Sequence, residues 1–299
     1  MINDKKKYRP AIPTEIRRAL RAEVEFGCPI HGCRSPFLEY HHFDPTWDEG
    51  KQHVQKGMIA LCPTHHRKAD KGTWTNDQLR CFKQSRNRDP IRGSIDWSIN
   101  NAVIIVGNNF YFWDSFFLEI YGNEIFSLRL DSNNNFVISA QFLDENLKPL
   151  MKIENNDILL NNLPAGDLIC SASGNKIKIE TKKNKKFKRK TYFEINFARI
   201  GINEFTNRLS KLDSDAKNWI LSEIQPKIID GKIMTVVLKS FMFLGENTIS
   251  IKDNCIEADI KNSLYKVPLK IRDNCNQGGI NINLGEPIIK LGCKTEKNI

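Results

Sequence analysis

A chain of 299 residues, 40% hydrophobic and 27% charged, has apolar material for two or three packed cores and is not disordered in composition. Its formal net charge of +10 points to an anionic partner. No apolar run approaches the roughly 18 to 20 residues that span a bilayer, and the opening MINDKKKYRP lacks the apolar stretch of a signal peptide, so the expectation is a cytoplasmic protein with no membrane contact.

In chain order, residues 13–27, PTEIRRALRAEVEFG, read as a helix. Thr14 is the N-cap, Ile16, Leu20 and Val24 form the apolar stripe, Gly27 closes the end, and Arg17, Arg18 and Arg21 lie on the polar side. A cysteine knuckle, CPIHGC, is followed by FLEYHH with strand character, the polar loop FDPTWDEGKQHVQK, a second short strand GMIAL, and CPTHHRKAD opening a short helix. Thr75 and Gln78 stand in capping-box spacing at the start of another helix, TNDQLRCFKQSR. RNRDPIRGS then reads as a linker that ends a first domain over residues 1–95.

From residue 100 the texture changes. AVIIV, FVISAQFLD, KIKIE, TYFEINFARI, KIMTVVLKSFMF, NTISI and GININL are β-branched or aromatic runs punctuated by Asn, Asp and Gly, with one helix expected at SDAKNWILSEI. The fold class expected is therefore α+β: a small domain over 1–95 and a β-rich region over 96–299, divisible into two subdomains near residue 200. KKNKKFKRK, Lys182–Lys190, has the composition of a hairpin tip that contacts phosphate or that simply discourages edge pairing.

The chemistry concentrates early. All six histidines fall between residues 31 and 66, and residues 1–95 carry 18 Lys and Arg against 11 Asp and Glu, whereas the other 204 residues carry 27 against 24. Cysteines in a reducing compartment read as metal ligands before they read as disulfides. Cys28 with Cys33 and Cys62 with His65 each fit a tight turn, and together they make a Cys3His shell for a structural Zn2+ that would hold together a unit too thin to pack alone. His31 lies inside the first knuckle and has two readings, a competing ligand or, as its turn position predicts, a solvated side chain.

The segments YHHFDP and GMIALCPTHHRKAD resemble the HNH, or ββα-metal, nucleases in their cysteine-knuckle branch, over about residues 25–70. The resemblance implies a hairpin and helix gripping one divalent cation, Mg2+ or Mn2+, through His41 and His66, with His42 as general base. The family commonly has an asparagine where this chain has Gly57, and His53 is left with three readings, an orienter of the base, a further metal ligand or a solvent-facing loop histidine. Arg67, Lys68 and Lys71 on or after the helix are candidate phosphate contacts, with DNA favoured over RNA as partner. Such a nuclease joined to a non-catalytic region resembles effectors of bacterial anti-phage defence, and the β-rich region is then the candidate for partner binding or homo-oligomerisation. Two rival readings are a non-catalytic zinc module that binds nucleic acid and a colicin-like nuclease toxin.

Overall fold

The computed structural model describes residues 9–85, 89–97, 102–106, 109–111, 115–120, 123–143, 149–160, 166–180, 189, 191–210, 214–243, 247–252, 255–260, 263–268, 280–283 and 287–292. The fold is α+β. It begins with α1 (Thr14–Glu23), whose N-cap is Pro13 and not the expected Thr14; the Thr14 hydroxyl instead accepts a bond from Arg17. The helix stops before Gly27, because Glu25 and Phe26 take left-handed φ values of 51° and 60°. Gly27 serves a different purpose: a Cβ there would press on Arg34, whose guanidinium donates to the carbonyls of Val24, Glu25 and Gly27 and so satisfies the end of the helix.

Next come β1 (Glu39–His42), the single turn α2 (Trp47–Gly50) inside the segment read as loop, β2 (Met58–Leu61), α3 (Pro63–Asp70) and α4 (Asn76–Gln84). The Thr75–Gln78 capping box expected from spacing is formed at the start of α4. β1 and β2 pair antiparallel with His41 opposite Ile59 and His42 opposite Met58. All four residues of β2 are buried, since α1, α3 and α4 all pack on it, which accounts for an apolar run without alternation. Leu20, Val24, Leu38, Phe43, Met58, Ile59, Leu61 and Leu79 make up most of this small core.

The β-rich region starts earlier than the sequence suggests. Ile91–Ser94, read as linker, is the strand β3. After it follow β4 (Val103–Val106), β5 (Asn109–Tyr111), β6 (Ser115–Ile120), β7 (Asn123–Leu130), β8 (Phe136–Leu143), β9 (Pro149–Glu154) and β10 (Asp157–Leu160). The chain continues through β11 (Asp167–Cys170), β12 (Lys176–Glu180), β13 (Thr191–Gly201), α5 (Ile202–Arg208), α6 (Ser214–Ile224), β14 (Ile228–Ile229) and β15 (Lys232–Phe243). It ends with β16 (Asn247–Lys252), β17 (Cys255–Ile260), β18 (Ser263–Pro268), β19 (Ile280–Asn283) and β20 (Pro287–Gly292). One sheet runs β19-β20-β6-β7-β8-β9-β10-β3, and the other runs β11-β12-β13-β15-β16-β17-β18 with β4 joined parallel to β15.

The two sheets share a core of Phe116, Phe126, Leu128, Ile138 and Ile153 from the first and Ile104, Ile177, Phe193, Ile195 and Val236 from the second. On β4 the alternation is clean: Ile104 faces that core, while Val103 and Ile105 face a second one with Phe205 of α5 and Ile220 and Ile224 of α6. Residue 200 lies inside β13, and β20 pairs with β6, so strands from both sides of the break expected near 200 share sheets. Of the loop Lys182–Lys190, only Arg189 lies within the described residues.

Residues 9–85 are bound to this sandwich through charge. Arg21, expected on a polar face, is 4% exposed and donates to Asp167 through Nε at 2.8 Å and Nη2 at 2.6 Å, while Asp167 is 0% exposed. Arg18 reaches the same carboxylate and Glu180. Burial alone would pull the Arg21 guanidinium down, but its bonds to Asp167 and Tyr40 raise its pKa above the ordinary value. Arg92 N also donates to Arg34 O, and Phe37 bridges Cys170 and joins the sandwich core.

Asp167→Ala leaves the buried Arg21 guanidinium without its carboxylate and takes one of three from the half-buried Arg18, and we expect a loss of about 3–5 kcal/mol, read as a lower urea midpoint. A second expectation concerns acid. Burial pushes the Glu180 carboxyl up, but Lys178 and Arg18 outweigh it and hold the pKa below the usual 4.5. A depressed carboxylate stabilises fully above its unfolded value and loses that contribution as pH falls through the folded one, so the urea midpoint should decline below about pH 4.5 and decline less in Glu180→Gln.

Candidate metal centre and histidine cleft

The knuckle, β2 and α3 bring four ligand atoms together. Sγ of Cys28, Cys33 and Cys62 and a ring nitrogen of His65 lie within 4.8 Å of one another. Nδ1 of His65 is 3.3 Å from both Cys28 Sγ and Cys62 Sγ, and Cys33 Sγ is 3.7 Å from Cys62 Sγ. A tetrahedral ion with bonds of about 2.3 Å to sulfur and about 2.0 Å to nitrogen separates two sulfurs by about 3.8 Å and sulfur from nitrogen by about 3.5 Å. The cluster can therefore hold a metal ion, and its spacing is compatible with structural zinc. Hydrogen bonds with Cys33 and Cys62, and then burial, drive the Cys28 thiol far up, while hydrogen bonds from Cys28 and Cys62 hold Cys33 down at about 3. Thiols arranged this way share protons until a cation replaces them. His31 is exposed and outside the cluster, as its turn position predicts, and Cys81 and Cys170 lie apart from it.

Histidines adjacent in sequence part company. His65 faces the sulfurs and His66, the next residue on α3, faces β1. His41 and His66 meet edge to face with ring centroids 5.3 Å apart. Asp70, one turn beyond His66, completes a group that sequence reasoning missed: Oδ1 lies 3.0 Å from His41 Nδ1 and Oδ2 lies 3.1 Å from His66 Nδ1. Its i, i+4 spacing from His66 is the signal that would have found it. Glu39 Oε2 also approaches His66 Nδ1, at 3.5 Å. Burial, and then the nearby His66, lower the pKa of His41.

His42 points the other way, as strand alternation requires. It is 6% exposed, with Nδ1 2.8 Å from Arg9 Nη2 and Nε2 3.0 Å from His53 Nδ1, and His53 Nε2 lies 3.0 Å from the Pro10 carbonyl. These partners fix the protons. The carbonyl can only accept, so His53 carries its proton on Nε2 and accepts at Nδ1; His42 then donates from Nε2 and accepts from Arg9 at Nδ1. Trp47 stacks on His53 with centroids 5.0 Å apart and lies under the Arg9 guanidinium at 4.6 Å. Burial, then the charges of Arg9 and His53, bring the His42 pKa to about 4. His53 is half-buried, hydrogen-bonds His42 and lies apart from the His41, His66 and Asp70 group.

A cleft of about 470 Å3 opens over both sets, lined by Arg9, His41, His42, Trp47, His66 and Asp70 among others. Gly57, where the resemblance implies asparagine, is closed to any side chain, because a Cβ would land on the Asp44 carbonyl. Its own carbonyl accepts from Phe43 N and Asp44 N and so ties down the turn after His42. Arg67, Lys68 and Lys71 are exposed and lie outside the residues lining the cleft. Comparison with protein-family models, curated proteins and solved structures finds no match to this chain.

Cys28→Ser should lower tightly held metal from one equivalent per chain and destabilise residues 9–85 by several kcal/mol, since metal binding in a small module is worth on the order of 10 kcal/mol. Metal analysis after gel filtration, with thermal melting, checks both. Gly57→Asn should destabilise by more than about 2 kcal/mol, because the backbone at Asp44 has to move; an unchanged melting temperature would contradict the packing described.

Proposed function

We propose that this protein is a metal-dependent endonuclease of the HNH type that hydrolyses nucleic-acid phosphodiester bonds, DNA in preference to RNA. The observation that carries this reading is the convergence of His41, His66 and Asp70 in the same cleft as His42. Two imidazoles and a carboxylate fit a divalent cation, and the nitrogen-rich set suits Mn2+ better than Mg2+. When bound, such a cation stabilises charge on the phosphate and on the leaving oxygen. The Cys3His shell is assigned to Zn2+ on its ligand types and spacing, and it is already complete without these three residues.

The chain's own contribution is proton handling. His42 Nδ1 takes a proton from water as the water oxygen bonds to phosphorus, the bridging P–O bond breaks, and its electron pair leaves with the sugar oxygen. The imidazolium so formed keeps its Nε2–H on His53 Nδ1, which holds the ring in orientation. Arg67, Lys68 and Lys71 offer exposed positive charge for backbone contacts outside the cleft. The β-rich region, with its ion-paired grip on α1, is the candidate for partner binding or self-association, and a role in anti-phage defence rests on that architecture.

One observation favours the non-catalytic rival, a zinc module that only binds nucleic acid: both ring nitrogens of His42 are engaged, so its lone pair is covered. Plasmid and RNA incubated with the full chain and either cation separate the two. We expect cleavage, at lower concentrations of Mn2+ than of Mg2+, and a loss on the order of 100-fold in Asp70→Ala with melting unchanged. Retention of oligonucleotide with no cleavage of DNA or RNA would select the binding module instead.

A further inference from the structure

The covered lone pair on His42 has an identifiable owner. Arg9 lies exposed at the mouth of the cleft, 33 residues upstream of its partner, with its guanidinium on a neutral imidazole at 2.8 Å and over the Trp47 ring at 4.6 Å. No carboxylate pairs with it among the described residues, in contrast to Arg18, Arg21 and Arg80, each of which has one. An arginine that makes no direct ion pair among the described residues, with the Asp48 carboxylate near enough only to feel its charge, in a cleft that also gathers cation ligands, is matched to an anion with two oxygens in a plane, and phosphate offers them.

We propose that Arg9 is the phosphate-binding residue of the cleft and that, with no phosphate present, its guanidinium rests on His42 and covers the lone pair that a base must use. This rests on the nuclease reading above and deepens it. The exchange is favourable because the bond Arg9 makes to a neutral ring nitrogen is weaker than a charge-assisted fork to a phosphodiester. Trp47 remains as the platform on which the guanidinium pivots, and His53, pinned by the Pro10 carbonyl, keeps His42 in the same orientation throughout. The substrate itself therefore uncovers the base: the anion that draws Arg9 away is the one to be attacked. Without it, the nitrogen that would take a proton from water is occupied, which limits idle chemistry in the cleft.

The test reads His42 directly and does not require cleavage. Diethyl pyrocarbonate acylates a free imidazole lone pair, and tandem mass spectrometry locates the adduct at His42 in the full chain, with His41 and His66 as internal references. In phosphate-free buffer we expect slow modification of His42 in the wild type and at least tenfold faster modification in Arg9→Gln. Millimolar inorganic phosphate should accelerate the wild type, chloride at equal ionic strength should not, and Arg9→Gln should be indifferent to both. A matching cleavage assay should show kcat/KM reduced about 10- to 100-fold in Arg9→Gln, the value of one charge-assisted contact, with partial recovery in Arg9→Lys. Equal His42 reactivity in the wild type and Arg9→Gln, or acceleration by phosphate in both, would overturn the proposal. If the wild type cleaves neither DNA nor RNA, the nuclease reading fails, while the modification rates still decide whether Arg9 covers His42 and yields to phosphate.

Discussion

The four-ligand shell is the constraint on which the candidate site depends. It joins a knuckle at residues 28–33 to the first turn of α3, and α3 is only eight residues long. A helix of that length does not hold its own position, so its rotation about its axis is set by where Cys62 and His65 are fixed. His66 follows His65 directly, so the cluster that fixes one histidine aims the other. The same rotation carries Asp70, one turn on, to the side facing His41. The Cys28, Cys33, Cys62 and His65 cluster thus sets the geometry of a second, chemically different group of side chains without sharing a residue with it.

Two pairs of neighbouring histidines are divided by two different periodicities. On β1 successive side chains take opposite faces, which sends His41 toward α3 and His42 toward Arg9, Trp47 and His53. On α3 a step of one residue turns the side chain by about 100°, enough to move from the sulfur cluster to the cleft. Four histidines in two dipeptides therefore serve three environments: the cysteine cluster takes His65, the acidic group around Asp70 takes His41 and His66, and the hydrogen-bonded chain through His53 takes His42. The sequence made that division readable because it depends only on local geometry.

Features that depend on distant residues were not readable. The shell, the hairpin, the Thr75–Gln78 cap and the helix at Ser214–Ile224 all follow from spacings of a few residues, and each is present. Asp70 was within reach of the same reasoning through its spacing from His66. Arg9 was not, since nothing in the basic opening segment distinguishes one arginine from its neighbours until Trp47 and His42 are placed beside it. Arg18 and Arg21 look like a solvated face because their partners, Asp167 and Glu180, are about 150 residues away. Gly57 is informative in the other direction. It stands where the resemblance implies asparagine, and its backbone lies against the Asp44 carbonyl, a contact in which only a hydrogen fits.

The buried ion pairs give the β-rich region a physical route to the cleft. Arg21 donates to Asp167 with two nitrogens and to the Tyr40 hydroxyl with the third, and Tyr40 directly precedes His41 on β1. Any movement of β11 that drew Asp167 from α1 would leave Arg21 buried without its counterion, a state costly enough that helix and strand must move together. Tyr40 would lose its anchor in the same step. The candidate site is thus held from two directions: the Cys28, Cys33, Cys62 and His65 cluster fixes α3 from within the small module, and the sandwich fixes β1 from outside it. Since His41 comes from β1 and His66 and Asp70 come from α3, their convergence requires both, and a cleft built in this way is complete only while the two regions stay docked.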